Sequence, residues 1–164
     1  MDTESNTSPS IDNIDRALVR LLNGLILVCH DAHDGYMEAA DNITSSAYKT
    51  MFAEYALQRS RFAAQLANLI LDHGGDPDDD GGAMRMFARG WTNIKAVTMG
   101  GDYGAIFTEC ERSENAAKNA YGLALEKNIT KDAYSVVNHQ YQQIIEAHDR
   151  IRNLREAYYS EHKN

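Results

Sequence analysis

The sequence has 164 residues, which is enough for one domain with its own hydrophobic core. Charged residues make up 24% of the chain and the formal net charge is -8, which excludes a nucleic-acid partner from our expectations because phosphate binding needs clustered Lys and Arg. The longest apolar run, at 24–29, is far shorter than the ~20 residues that cross a bilayer, so no membrane contact is expected either.

The first predicted helix follows a short polar segment. Residues 1–10 lack the basic and apolar parts of a signal peptide, so we expect a disordered tail and a cytoplasmic protein. Apolar side chains then recur at helical spacing from Ile11 to Ile43, and Ser10 is a suitable N-cap. A second helix is predicted from about Ser45 to His73, where Gly74 provides a C-cap.

The next segment contains an acidic loop and a short helix. The loop, 76–82, resembles the first half of a calcium-binding loop, but Phe87 stands where such loops need a glutamate, so we interpret it as an acidic turn. Met84, Phe87 and Trp91 have helical spacing and predict a connecting helix that ends before Gly100.

Two further long helices complete the chain. One is predicted from Tyr103 to Asn128 and the other from about Lys131 to Ser160, which leaves 161–164 as a tail. The fold class is therefore all-α, with one domain over 11–160. Because the segment between the second and third long helices is long, the order up-down-down-up is favoured, with the short helix in the crossover.

Three polar residues occupy positions of the predicted core. Arg59, Glu114 and His148 fall on the buried stripes of three helices, at similar depth in an up-down-down-up bundle. We interpret them as a buried Arg–Glu ion pair with a histidine hydrogen-bonded beside it, because such groups are costly to bury alone. The alternative is a metal or small-molecule site. Cys29 and Cys110 are predicted to be core thiols.

Five segments of the chain form a recognisable set of motifs. They are Gly35-Tyr36-Met37-Glu38-Ala39-Ala40, Arg61-Phe62-Ala63-Ala64-Gln65-Leu66, Arg89-Gly90-Trp91, Glu109-Cys110-Glu111-Arg112-Ser113-Glu114-Asn115 and Ala147-His148-Asp149-Arg150-Ile151-Arg152. Together they resemble a bacterial ferritin-like family of unknown function, related to stress-induced ferritin-like proteins. The resemblance covers about 11–160 and implies a ferritin-like bundle with no established reaction.

The resemblance also defines what a metal site would require. Ferritin-like metalloproteins build a di-iron site from inward glutamates and Glu-x-x-His pairs. Here Arg59 and Phe62 stand at the Glu and His positions of the second helix, and Ile145 replaces the Glu ahead of His148. We therefore expect no metal cofactor. The alternative is iron or manganese bound by Glu114 and His148.

These observations favour a non-enzymatic bundle that acts as an interaction or stress-related protein with a degenerate metal site. No catalytic residue is assigned, because no arrangement of a nucleophile and a base is visible. A homodimer or other homo-oligomer is expected, with Met84, Phe87 and Trp91 as the candidate interface. The alternative function is a metal-binding or redox protein with a non-standard site in the middle of the bundle.

Overall fold

The computed structural model describes residues 11–77, 97 and 102–163, and it describes side chains from residue 15 onward. These residues form four helices and no strand, so the all-α prediction is confirmed for the described ranges. The helices are α1 (Ile11–Asn42), α2 (Ser46–Asp72), α3 (Tyr103–Glu126) and α4 (Lys131–Glu161). None of them is long and apolar enough to cross a membrane. The predicted tail at 1–10, the Ser10 cap, the connecting helix and its Gly100 end lie outside the described residues.

Local sequence signals account for the helix ends. The Ser45 side chain accepts a hydrogen bond from the Tyr48 N–H and begins α2. At the other end of α2, Gly74 has a φ of 74°, and the Gly75 N–H bonds the Ile70 carbonyl at 2.9 Å. This six-residue closure satisfies a carbonyl that the last turn would otherwise leave unpaired. Asp102 caps α3 by accepting from the Gly104 N–H at 2.9 Å.

The four helices pack in two pairs, α1 with α2 and α3 with α4, and the pairs meet through α1–α3 and α2–α4 contacts. Helix α3 is antiparallel to α1, because Thr44 contacts Tyr103 whereas Cys29 contacts Tyr121. Helix α2 ends beside the start of α4, where His73 lies 3.0 Å from Asp132. The end of α2 and the start of α3 therefore lie at opposite ends of the bundle.

The core consists of two apolar clusters stacked along the bundle. The first, which we call the Leu22 cluster, includes Phe62, Ala117 and Ile144. The second, the Phe52 cluster, lies at the end near Thr44 and includes Ala56, Cys110 and Ile151. Each of α2, α3 and α4 carries one of the polar residues that were predicted for the core. In each helix this residue lies between a residue of the Leu22 cluster and a residue of the Phe52 cluster. A polar layer therefore separates the two clusters.

Candidate functional site

An ion pair crosses the middle of the bundle. Arg59 Nη2 on α2 lies 2.7 Å from Glu114 Oε1 on α3, and the two side chains are 1% and 0% exposed. Helices α2 and α3 occupy opposite corners of the bundle, since α1 and α4 are the neighbours of each. The long arginine side chain therefore reaches across the core. The attraction of Glu114 raises the pKa of Arg59 in spite of its burial, and the guanidinium stays charged.

Tyr36 on α1 completes this group, which we call the central triad of Tyr36, Arg59 and Glu114. Its hydroxyl donates a hydrogen bond to Glu114 Oε1, the oxygen that also accepts from Arg59. Burial, together with the charge of Glu114, raises the pKa of Tyr36 well above its ordinary value, so the phenol remains a donor. The Arg59 guanidinium carbon also lies 5.8 Å from the Tyr36 ring centroid, within reach of a cation–π interaction.

His148, the third residue predicted for the polar layer, has polar contacts with residues outside the ion pair. It is buried, but its Nδ1 lies 3.0 Å from Asp149 Oδ1 and its Nε2 lies 3.9 Å from Glu111 Oε1. The hydrogen bond expected from a histidine beside the ion pair comes from Tyr36 instead. Glu111, on α3, also accepts a hydrogen bond from Arg155.

A second polar network joins all four helices next to the central triad. Gln140 donates from Nε2 to Gln65 at 2.9 Å and to the Phe62 carbonyl at 3.3 Å, while its Oε1 accepts from the Tyr121 hydroxyl at 2.8 Å. Because the Tyr121 proton is used in this way, the Cys29 thiol, 3.1 Å away, must be the donor to Tyr121. We call Cys29, Tyr121, Gln140 and Gln65 the cross-bundle chain.

The chemistry of the two cysteines is structural rather than nucleophilic. Both are free and buried, so the predicted core thiols are confirmed. Burial raises the pKa of Cys29 to about 11 and that of Cys110 well above its ordinary value. The thiol, not the reactive thiolate, is therefore the form present at neutral pH.

The residues of the central layer do not fit a ferritin-like metal centre. Glu114 Oε1 is engaged by a guanidinium, which cannot lose its proton and would repel a cation beside it. His148 and Glu114, the predicted ligands if metal binds, engage different partners. Across residues 11–77, 97 and 102–163, no group of three or more His, Cys, Asp or Glu side chains is placed to hold a metal ion.

Three polar partners were not predicted from the sequence, namely Tyr36, Tyr121 and Gln140. Both tyrosines fall on apolar stripes, where their rings look like ordinary core side chains, and the Gln140 side chain is fully buried. The two tyrosines could have been predicted as polar partners from a general rule, since a buried tyrosine hydroxyl usually has a hydrogen-bond partner. The predicted interface residues Met84, Phe87 and Trp91 lie outside the described residues.

An open apolar cleft lies at the end of the bundle that holds the start of α1. It has a volume of about 390 Å³ and is lined by Ala17, Leu18, Leu21, Lys127, Asn128 and Ile129. Its lining residues bring together neither a pair of acid–base groups nor a set of metal ligands. We therefore assign the candidate site to the polar layer in the middle of the bundle.

Comparison with known proteins identifies a family without a described activity. The family called "Domain of unknown function (DUF2383)" matches residues 17–127, and the chain belongs to this family. The matched region contains Tyr36, Arg59 and Glu114, whereas His148 lies beyond it. No curated protein matches the chain.

Proposed function

We propose that this member of the DUF2383 family is a non-enzymatic, ferritin-like bundle that acts through contacts with other protein chains. In this proposal the Arg59–Glu114 pair occupies the level at which ferritin-like proteins hold metal, and its function is structural. The observation that carries the proposal is the fully buried contact of 2.7 Å between the two side chains. A charged arginine at that level makes a poor neighbour for iron or manganese.

The helix directions support a ferritin-like topology. Each described helix is antiparallel to its neighbours, and α2 ends at the opposite end of the bundle from the start of α3. An up-down-down-up order requires this placement, because the crossover must return the chain along the length of the bundle. We therefore propose a ferritin-like topology with a helix in the crossover between α2 and α3.

The polar layer has a physical role that needs no ligand. A buried ion pair adds little net stability compared with apolar side chains of similar size, but it penalises every packing in which the two charges do not meet. If α2 slid by one turn relative to α3, Arg59 would enter one of the two apolar clusters. The polar layer therefore fixes the register of α2 relative to α3, although α1 and α4 separate these two helices.

Metal analysis tests the proposal. The protein should be purified without chelator and without a polyhistidine tag, and its iron and manganese content measured per chain. We expect no stoichiometric metal, no ferroxidase activity, and a melting temperature that chelator leaves unchanged, since structural metals are coupled to folding. About two metal ions per chain, bound by Glu114 and His148, would overturn the proposal.

We propose that the contact surface includes Met84, Phe87 and Trp91. Exposed leucines also occur on the described surface, with Leu57 52% and Leu71 59% exposed on α2 and Leu123 55% exposed on α3. Single exposed apolar side chains are ordinary on protein surfaces, whereas a cluster with aromatic residues is typical of interfaces. Self-association through Met84, Phe87 and Trp91, a cytoplasmic location and a stress-related role all stay predictions.

A further inference from the structure

The central triad leaves one donor and one acceptor unmatched. Arg59 Nη1 and Glu114 Oε2 are buried, and neither has a hydrogen-bond partner in the part of the chain that the structure describes. The remaining polar atoms of Arg59 are engaged, Nε by Gln58 at 3.3 Å and Nη2 by Glu114 Oε1 at 2.7 Å. Since buried polar groups in native proteins are nearly always paired, these two atoms call for a ligand that offers one acceptor and one donor.

The charges around the two atoms require a neutral ligand. A cation at Glu114 Oε2 would be repelled by the adjacent guanidinium, and an anion at Arg59 Nη1 would be repelled by the adjacent carboxylate. The formal charges of Arg59 and Glu114 cancel. The neighbouring phenol of Tyr36 is uncharged, because its burial raises its pKa well above the ordinary value.

The surroundings also require a small ligand. The Tyr36 and Phe62 ring centroids each lie 5.8 Å from the Arg59 guanidinium carbon. Arg59, Tyr36 and Glu114 are all fully buried, so a bound molecule would be enclosed by the core. Water is the neutral molecule that combines this size with both a donor and an acceptor, and internal waters are typically held by such unsatisfied polar groups.

We propose that one internal water molecule binds between Arg59 and Glu114, accepting a hydrogen bond from Nη1 and donating one to Oε2. The inference rests on the proposed structural function of the pair. The guanidinium and the carboxylate would then be joined twice, directly through Nη2 and Oε1 and through water by the other two atoms. Two parallel connections fix the relative orientation of the groups more closely than a single contact does.

Oxygen-17 magnetic relaxation dispersion tests the proposal in solution, because its amplitude counts long-lived internal waters. We expect the amplitude to fall by the equivalent of one water molecule in the Arg59→Met/Glu114→Leu double variant. The matched control is the Glu111→Leu/Arg155→Met double variant, which removes a partly exposed ion pair between α3 and α4 and should leave the amplitude unchanged. Equal amplitudes in the natural protein and the first variant would overturn the proposal.

A high-resolution crystal structure of the natural protein provides a measurement that does not depend on a variant that folds. Density for one water within hydrogen-bond distance of both atoms is the expected result. An intact Arg59–Glu114 contact without that water would overturn this inference alone. A larger molecule between the two atoms would also overturn it. A metal ion on Glu114 would overturn both this inference and the proposed function.

Discussion

At the residue scale, Glu114 is the acceptor on which the centre of the bundle depends. It is fully buried and receives hydrogen bonds from Arg59 on α2 and Tyr36 on α1. His148, which the sequence predicted to bond beside the pair, contacts Asp149 and Glu111. A glutamate on a core stripe can be read from helical periodicity, but its partners depend on the rotation of the facing helices, which periodicity does not give.

We predict that Glu114→Ala destabilises the protein by about 3–5 kcal/mol, because it leaves the Arg59 charge buried without a partner. Denaturant unfolding measures the change in the free energy of unfolding. The control is Glu111→Ala on the same helix, whose carboxylate pairs with the partly exposed Arg155 and whose loss should cost on the order of 1 kcal/mol or less. Equal effects of the two substitutions would show that Glu114 is not buried in the way described.

At the element scale, the cross-bundle chain connects one residue from each helix. Cys29, Gln65, Tyr121 and Gln140 come from α1, α2, α3 and α4 in that order. The helices themselves were predicted to within a few residues, because apolar spacing, Gly74 and the capping residues are local signals. The chain was not predicted, since it depends on which side chains of four helices share one depth.

We predict that Tyr121→Phe costs about 1–3 kcal/mol of stability, because it leaves Gln140 Oε1 buried without a donor. Cys29→Ala removes only the thiol at the end of the cross-bundle chain. The loss of its hydrogen bond should cost less stability than Tyr121→Phe does. Chemical denaturation of both variants gives the comparison. A Tyr121→Phe variant as stable as the natural protein would mean that the chain contributes nothing to the packing of the helices.

A histidine at the end of α2 connects three helices. His73 Nε2 lies 3.0 Å from Asp132 on α4, and its Nδ1 lies 3.4 Å from Asp15 on α1. Burial alone would lower the pKa of His73, but the hydrogen bond and charge of Asp132, followed by those of Asp15, raise it above 6.5. The hydrogen bond from Thr130 and, against the opposing effect of burial, that from His73 lower the pKa of Asp132 below 3.8.

These shifts predict that His73 stabilises the bundle in mildly acidic solution. Because the folded-state pKa of His73 is raised, its full stabilisation is present below about pH 6.5. This stabilisation is lost as the pH rises through the folded-state pKa. The lowered pKa of Asp132 acts in the other direction, with stabilisation above about 3.8 that is lost as the pH falls through its folded-state pKa.

The measurement is the stability of the natural protein and of His73→Ala between pH 4 and 9. The difference between them should be largest from about pH 4 to 6.5 and should shrink at higher pH. Asp132→Asn should make this stability difference depend less on pH, because it removes the carboxylate whose charge raises the pKa of His73 more than that of Asp15 does. A difference that grows with rising pH would contradict the assignment.

At the scale of the whole molecule, the chain buries the inner faces of its four described helices in two clusters with one polar layer between them. The all-α class and the long helices could be predicted from the periodicity of the apolar residues. Which helices pack against each other became known only from the contacts between helices. Met84, Phe87 and Trp91 belong to the sequence between α2 and α3, outside the described residues, and their proposed role is association with a second chain.

We predict that the natural protein forms a dimer and that Trp91→Ala weakens it by more than ~2 kcal/mol, because interface energy concentrates in buried aromatic residues. Sedimentation at several concentrations, on the natural protein and the variant, measures the dissociation constant. Leu57→Ala, which removes an exposed leucine from α2, is the control. A natural protein that stays monomeric at every concentration would remove the association, and an unchanged dimer in the Trp91 variant would place the interface elsewhere.

The claim that an ion pair holds the middle of this bundle is tested most directly by a double-mutant cycle on Arg59→Met and Glu114→Leu. Each single substitution leaves one charge buried alone, whereas the double variant fills the layer with apolar side chains. We predict that the double variant loses much less stability than the sum of the two single losses, with a coupling energy of about 0.5–3 kcal/mol or more. A coupling energy near zero would mean that the two side chains do not meet and would contradict the claim.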